Sequence, residues 1–435
     1  FTRTSANIAD YDGNVLFSTN GAFVANALGD TMLNGSGLSP GIYTSQFPKG
    51  LHLTQACLIL QNPDISTLYY LLHGTLDNPP GTNAYYLYLT TIDMTLDGGL
   101  GGVVTKNQVL ITDTLNIGKL SAARHANGRD WWAFCHLANT NTFYRLLVTP
   151  DGVRVDGTQS IGIIRPPDVG QVAFSPDGTK FAYNGGHVSD LEIFDFDRCS
   201  GILSAPVRII SVDAYSLGGV AFSPNSRFLY ASFTEDVYQY DMLAPDISLS
   251  VEHVAHWDGF YSPSPPLATL FDIAHLAPDG KVYIGTGNST LHLHVIHDPD
   301  EPGFACHFEQ HGIELSRFFM NSLPNHPNYH LGPLVGSACD TLGLSVNERG
   351  PKHPILVTAH PNPGSGPVTI SYPAQAEAGQ LELRDVQGRV VYQSRLPAWS
   401  QVHQLVLDGQ ATGMYHCQLR WGTRQGGVRI LYSTP

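Results

Sequence analysis

At 435 residues the chain is well above the roughly 150 of one typical domain, and its 44 glycines, 29 prolines and 14% charged residues suit many strands and tight turns rather than long helices. The formal net charge is −14, which argues against a nucleic-acid partner, because basic patches supply that affinity. No apolar run approaches the ~18 residues of a membrane-spanning helix, so no membrane span is expected.

Phe1 opens the chain without a recognisable secretory leader, and the expectation is a processed chain. The first strand–turn–strand unit is DYDGNVLFSTNG (10–21), followed by QNPDISTLYYLLHG (61–74) and ANGRDWWAFCHL (126–137). The clearest copy is VAFSPDGTKFAY (172–183). Val172 and Phe174 alternate with Ala173 as in a half-buried strand, Ser175-Pro176-Asp177-Gly178 reverses the chain, and Phe181 and Tyr183 begin the return. VAFSPNSRFLYAS (220–232) and IAHLAPDGKVYIG (273–285) repeat it, while SLPNHPNYHLGP (322–333) holds the next place without a strand pattern after its turn.

Turns near residues 12, 64, 128, 177, 225, 279 and 325 give seven units with a period of about 52 residues, which is the signature of a β-propeller. A single blade cannot bury both faces, and stacking blades in a ring buries them all. The predicted fold is all-β: a seven-bladed propeller of WD40-like repeats over residues 1–340, with six or eight blades as rival counts. Residues 341–356, TLGLSVNERGPKHPIL, read as a linker, and residues 357–435 as a small antiparallel Ig-like β-sandwich with closely spaced turns. The charge steps at the same place: residues 1–351 carry 16 Lys and Arg against 33 Asp and Glu, and residues 352–435 carry 7 against 4.

Two resemblances follow from particular residues. Asp10, Gly13, Asn14, Leu16, Phe17, Thr19, Asn20 and Gly21, with Met32, Asn34, Gly35, Gly37 and Leu38, resemble the first blade of a propeller family common among secreted Bacteroidetes proteins. Thr54-Gln55, NGRDWW (127–132) and FDFDRCSGILSAP (194–206) extend the likeness. It implies a fold and an extracellular setting but no reaction. Pro361-Asn362-Pro363, Asp385 with Gly388-Arg389 and Val391, Gly413-Met414-Tyr415, and Arg424 and Arg429 are similar to the C-terminal sorting domain of type IX secretion cargo. The closing Ser433-Thr434-Pro435 departs from the lysine-bearing end usual there. This likeness implies export to the outer surface, or beyond, of a Gram-negative, Bacteroidetes-type bacterium, with the secretion machinery as partner.

Of the six cysteines, Cys57, Cys135 and Cys417 fall in strand-like runs, where a buried thiol is expected. Cys199, Cys306 and Cys339 fall in loops, and a Cys306–Cys339 disulfide near ring closure is the favoured pairing for an exported protein. The metalloprotease and P-loop motifs HExxH and GxxxxGK[ST] are absent. Asp10, Asp12 and Asn14 have the spacing that opens a calcium loop, but Gly21 stands where the twelfth-position Glu would be. They also suit a plain hairpin turn. His292 and His294 share a strand face, with His297 and Asp298 beyond, and offer a candidate metal site against a bland reading as a half-exposed strand. Trp131 and Trp132, flanked by His125 and His136, are a sugar-stacking surface or inter-blade core.

No cofactor is expected; a structural calcium ion at Asp10, Asp12 and Asn14 is a candidate only, beside the plain-turn reading. The functional expectation is a non-catalytic secreted surface protein, not an enzyme, whose propeller is a scaffold for binding a glycan or protein and for adhesion. Two alternatives stand beside it: a subunit of an extracellular filament or surface layer, in which propeller and C-terminal domain dock head to tail, and a propeller hydrolase or lyase acting on polysaccharide.

Overall fold

The computed structural model describes residues 3–10, 12–77, 83–116, 118–186, 190–210, 218–263, 266–340, 355–407, 409–422 and 424–433. Of the expected linker, residues 341–354 lie outside them.

Six units of four antiparallel strands follow one another around a ring. Their innermost strands are Ala6–Ala9, Cys57–Gln61, Ser121–Arg124, Gly170–Phe174, Gly218–Phe222 and Phe271–Leu276, for blades I to VI. The all-β propeller expected from the repeats is therefore formed, with six blades among the described residues. The seventh unit, 322–333, contributes no strand. Pro324, Pro327 and Pro333 supply no N–H to a ladder, and sheet interiors exclude proline for that reason.

Local chemistry explains the repeats. In blade IV, Val172 pairs with Tyr183 and Phe174 with Phe181 across the turn. Ser175 Oγ donates to Asp177 Oδ1 (2.6 Å) and accepts the Lys180 N–H (2.9 Å), while Gly178 takes φ +72°. Five apolar clusters then join successive blades, from I–II through to V–VI. Each fully buried large side chain, such as Trp131, Phe181 or Phe222, contributes roughly 1.5–3 kcal/mol. Between blades VI and I the contact includes polar groups: Arg3 lies 3.1 Å from Asp272.

The C-terminal sheets form the expected sandwich. Thr358–His360, Val368–Ser371 and Val402–Leu405 make one layer; Val390–Leu396, Gly379–Arg384, Gly413–Trp421 and Arg424–Tyr432 make the other. Alternate residues Leu381, Leu383, Cys417, Leu419 and Ile430 meet Val368, Ile370 and Leu405 between them. The sandwich touches the propeller at blade VI, where the Gln401 N–H donates to the Pro278 carbonyl (2.7 Å) and Arg395 lies 3.4 Å from Glu301.

Candidate functional site: the channel and the segment that runs through it

The innermost strand of each blade is a sheet edge, so its backbone groups point at the channel without a ladder partner. Side-chain amides satisfy several of them. Gln171 Oε1 accepts the N–H groups of Val220 (3.1 Å) and Ala274 (2.9 Å), and its Nε2 donates to the Ala274 carbonyl (2.6 Å), clasping blades IV, V and VI. Gln55 does the same across the ring, accepting the Val172 N–H and donating to the Val172 carbonyl, both at 2.9 Å.

After blade VI the chain turns inward. Residues 321–333 run along the channel from the end where the inner strands begin to the end where they finish. Asn321 Nδ2 donates to Asp272, and the Asn325 N–H donates to the Ser5 carbonyl (2.9 Å). Asn325 Nδ2 bridges the carbonyls of Cys57 and Leu120, each at 2.9 Å. At the far end Asn328 Nδ2 donates to the Pro176 carbonyl (2.7 Å), and Arg198 donates to the Gly332 carbonyl. Gly128, at φ +73°, lets Pro333 pass so closely that a Cβ there would lie 2.5 Å from its nitrogen.

This path corrects the disulfide expectation. Cys339 is bonded to Cys199, in the turn between the last two strands of blade IV, with Cα atoms 5.6 Å apart. Cys306 is a buried free thiol. The inserted segment carries Cys339 across the ring, away from the end of blade VI where Cys306 stays.

Beside the segment remains a cavity of about 170 Å³. Its polar lining includes Arg3, His275 and His326, and the sandwich adds Trp399 and Gln401. The His275 and His326 rings lie 5.3 Å apart, edge to face. Burial, with some repulsion from His326, lowers His275 to about 3, and burial lowers His326 to about 4. Both are neutral near pH 7. His326 Nε2 lies 3.1 Å from the Asn7 carbonyl, which assigns the proton to Nε2 and leaves Nδ1 an acceptor. Among the described residues, the ring nitrogens of His275 have no hydrogen-bond partner, so this imidazole is available to a guest. Asp272 is pushed up by burial, against the pull of Arg3 beside it.

The residues singled out in the sequence lie elsewhere. Asp10 caps its own turn: Oδ1 accepts the N–H groups of Asp12 (3.0 Å) and Asn14 (2.8 Å), and Oδ2 accepts Asn14 Nδ2 (3.0 Å). Desolvation is the largest single influence and raises its carboxyl, but these bonds together outweigh it and hold the carboxyl below the ordinary range. His294 is fully buried, its Nδ1 accepts the His311 N–H (3.0 Å), and burial lowers it to about 3. His292 Nδ1 lies 3.2 Å from Ser262 Oγ. Trp131 and Trp132 are 0% and 4% exposed, so neither offers a stacking face. Arg124 covers Trp131 at 3.7 Å, and Trp132 donates to the Arg198 carbonyl (2.9 Å). Gln171 and His275 were missed, because a Gln or His in an alternating strand carries no mark of facing an axis.

In the sandwich the motif residues act on one another. Asn362 accepts the Leu431 N–H (2.9 Å) and donates to the Arg429 carbonyl (2.7 Å), fastening the Pro361–Pro363 turn to the last strand. Asp385 accepts the N–H groups of Gln387 and Arg389 and lies 2.8 Å from Arg389 Nε, with Gly388 at φ +78° closing the hairpin. Gly413 pairs with Tyr432, and the Tyr415 hydroxyl donates to the Ala411 carbonyl (2.7 Å). Residues 358–431 match the family of secretion system C-terminal sorting domains.

This chain carries a type IX sorting domain. It is exported to the cell surface or extracellular space of a Bacteroidetes-type bacterium. Among the described residues no helix is long and apolar enough to cross a membrane. Comparison with curated proteins gives no match. Solved structures similar to the chain include a Bacteroides uniformis protein provisionally named a 6-phosphogluconolactonase, at 14% identity and TM-score 0.43, over 92% of this chain and 99% of that one. The periplasmic gluconolactonase of Pseudomonas aeruginosa is also similar, at 14% identity and TM-score 0.38, over 90% and 94%. The Dos1 propeller is similar at 12% identity and TM-score 0.38, over 65% and 70%. These names correct the expectation that the chain is not an enzyme: propellers similar to it carry enzyme names, so the fold gives no ground for excluding catalysis.

Proposed function

We propose that the exported propeller uses its channel cavity to bind a single sugar residue, free or at the end of a surface glycan. The boundaries that go with this reading are a propeller over 1–340, a linker over 341–356 and the sorting domain over 357–435. One observation carries it: a cavity in which the His275 imidazole has no partner of its own among the described residues. At about 170 Å³ the cavity is near the ~150 Å³ that holds one benzene ring, and well below the ~300–1,000 Å³ of drug-sized pockets. An aromatic face (Trp399), a guanidinium (Arg3) and two neutral imidazoles are groups that a ring bearing several hydroxyls can meet. The same imidazoles are proton acceptors close to a bound hydroxyl.

Isothermal titration of the full chain with monosaccharides and sugar acids tests this. One site per chain is expected, lost in His275→Phe, which fills the cavity. Absence of binding across the panel, or binding that His275→Phe leaves unchanged, overturns the proposal.

A further inference from the structure

A second cluster lies on the outer edge of blade V, away from the channel. Asp236 opens the third strand, Asp236–Asp241, and His253 and His256 belong to the fourth, Glu252–His256. Three residues apart on a regular strand, two side chains point to opposite faces. Here the register slips between Val237 and Tyr238: Asp236 pairs with His256 and Val237 with Ala255, but Tyr238 pairs with His253. The extra residue is a β-bulge, and it brings both imidazoles to the same carboxylate.

The convergence is on one atom. His253 Nε2 lies 2.6 Å and His256 Nδ1 2.9 Å from Asp236 Oδ1. The three ligand atoms all lie within 4.8 Å of one another. Two rings on a single carboxylate oxygen leave three ligand atoms around one point.

We infer that Asp236, His253 and His256 bind a divalent transition-metal ion of the zinc class. Two imidazoles and a carboxylate favour zinc, nickel or copper over calcium or magnesium, which prefer all-oxygen shells. Ligand bonds of about 2.0–2.2 Å place tetrahedral neighbours ~3.3 Å apart. The two nitrogens would therefore each draw back from Oδ1 by roughly half an ångström. The rings have room for that, at 48% and 60% exposure, while Asp236, at 16%, is the fixed member. The His256 carbonyl is held from behind by Gln310 Nε2 (2.7 Å), and the His253 ring packs 5.2 Å from Tyr238, so the backbone and one ring are braced. Three protein ligands leave a fourth position for water or a group from outside, as in open zinc sites.

The test uses the full chain freed of metal by chelation, then zinc in equilibrium dialysis with elemental analysis. One tightly bound zinc ion per chain is expected, weakened at least ten-fold by Asp236→Asn and abolished by His253→Ala with His256→Ala. His360→Ala with His416→Ala, two exposed histidines of the sandwich, is the control expected to leave it intact. A chain that takes up no zinc overturns the assignment, as does one whose zinc survives both site variants. In the unmodified chain, zinc is expected to protect His253 and His256 from carbethoxylation by diethyl pyrocarbonate, read by peptide mass spectrometry. Equal modification with and without zinc overturns the assignment whether or not the variants fold.

Discussion

Gln171→Leu isolates the contribution of one amide to holding three blades together. The leucine keeps most of the volume but strips partners from the N–H groups of Val220 and Ala274 and from the Ala274 carbonyl. Leaving a buried backbone group unpaired costs about 1–3 kcal/mol. The cavity beside these strands can admit water, which sets the estimate at the low end, about 3–5 kcal/mol for the three. With an unfolding entropy of ~2.1 cal/mol/K per residue over roughly 330 propeller residues, that lowers the midpoint of thermal unfolding by about 4–7 °C. Differential scanning calorimetry reads it directly, and the sorting-domain transition serves as an internal reference. A shift below about 1 °C would refute the reasoning and mean that the inner-strand edges are satisfied without the clasp.

Gly219→Ala places a Cβ 2.4 Å from the Asp272 carbonyl oxygen, where backbone must move; overpacking of this kind costs about 1–3 kcal/mol, measurable as a lowered denaturant midpoint. Cys199→Ser removes the bond that closes 140 residues of chain and is expected to cost about 2–4 kcal/mol, with reductant producing the same loss in the unmodified chain and none in the variant. Burial lowers His73, His136 and His294 from 6.5 to about 3. Because the folded values lie below the unfolded ones, the unfolded chain takes up protons first as pH falls. Their stabilisation is complete above pH ~6.5 and is lost between about 6.5 and 3, at up to ~1.4 kcal/mol per pH unit for each ring. Urea midpoints should therefore fall between pH 7 and 5, above the carboxylate range, and a flat profile there would contradict the burial of these rings as neutral bases.

The blades were legible where turn chemistry and alternation coincide: Ser175–Gly178 and its copies each join the first two strands of a blade. The sandwich was legible for the same reason, with Gly388 and Asp385 fixing a hairpin whose register follows. The seventh unit kept a turn but carried prolines, so its period was visible while its role inside the ring was not. The disulfide went astray with it, since pairing depends on where the chain goes after Phe319. Channel residues escaped because Gln55 and Gln171 act across 117 and 103 positions of sequence, on backbone atoms that no pattern marks. Asp236, His253 and His256 escaped for a narrower reason: spacing alone puts the two histidines on opposite faces, and only the bulge reverses it.

The Cys199–Cys339 bond also decides how the molecule carries load. A chain retained at a surface through its C-terminal region is pulled between sandwich and propeller. Tension arriving along the chain from residue 355 reaches Cys339 before it reaches the segment in the channel, and the covalent bond passes it to blade IV. The hydrogen bonds of Asn325 and Asn328 are thus spared, and the cavity keeps its wall under a pull that would otherwise draw the segment out like a cord. In reducing conditions the same pull would reach the channel segment, beginning where the Leu334 N–H donates to the Ala126 carbonyl and Arg198 donates to the Gly332 carbonyl.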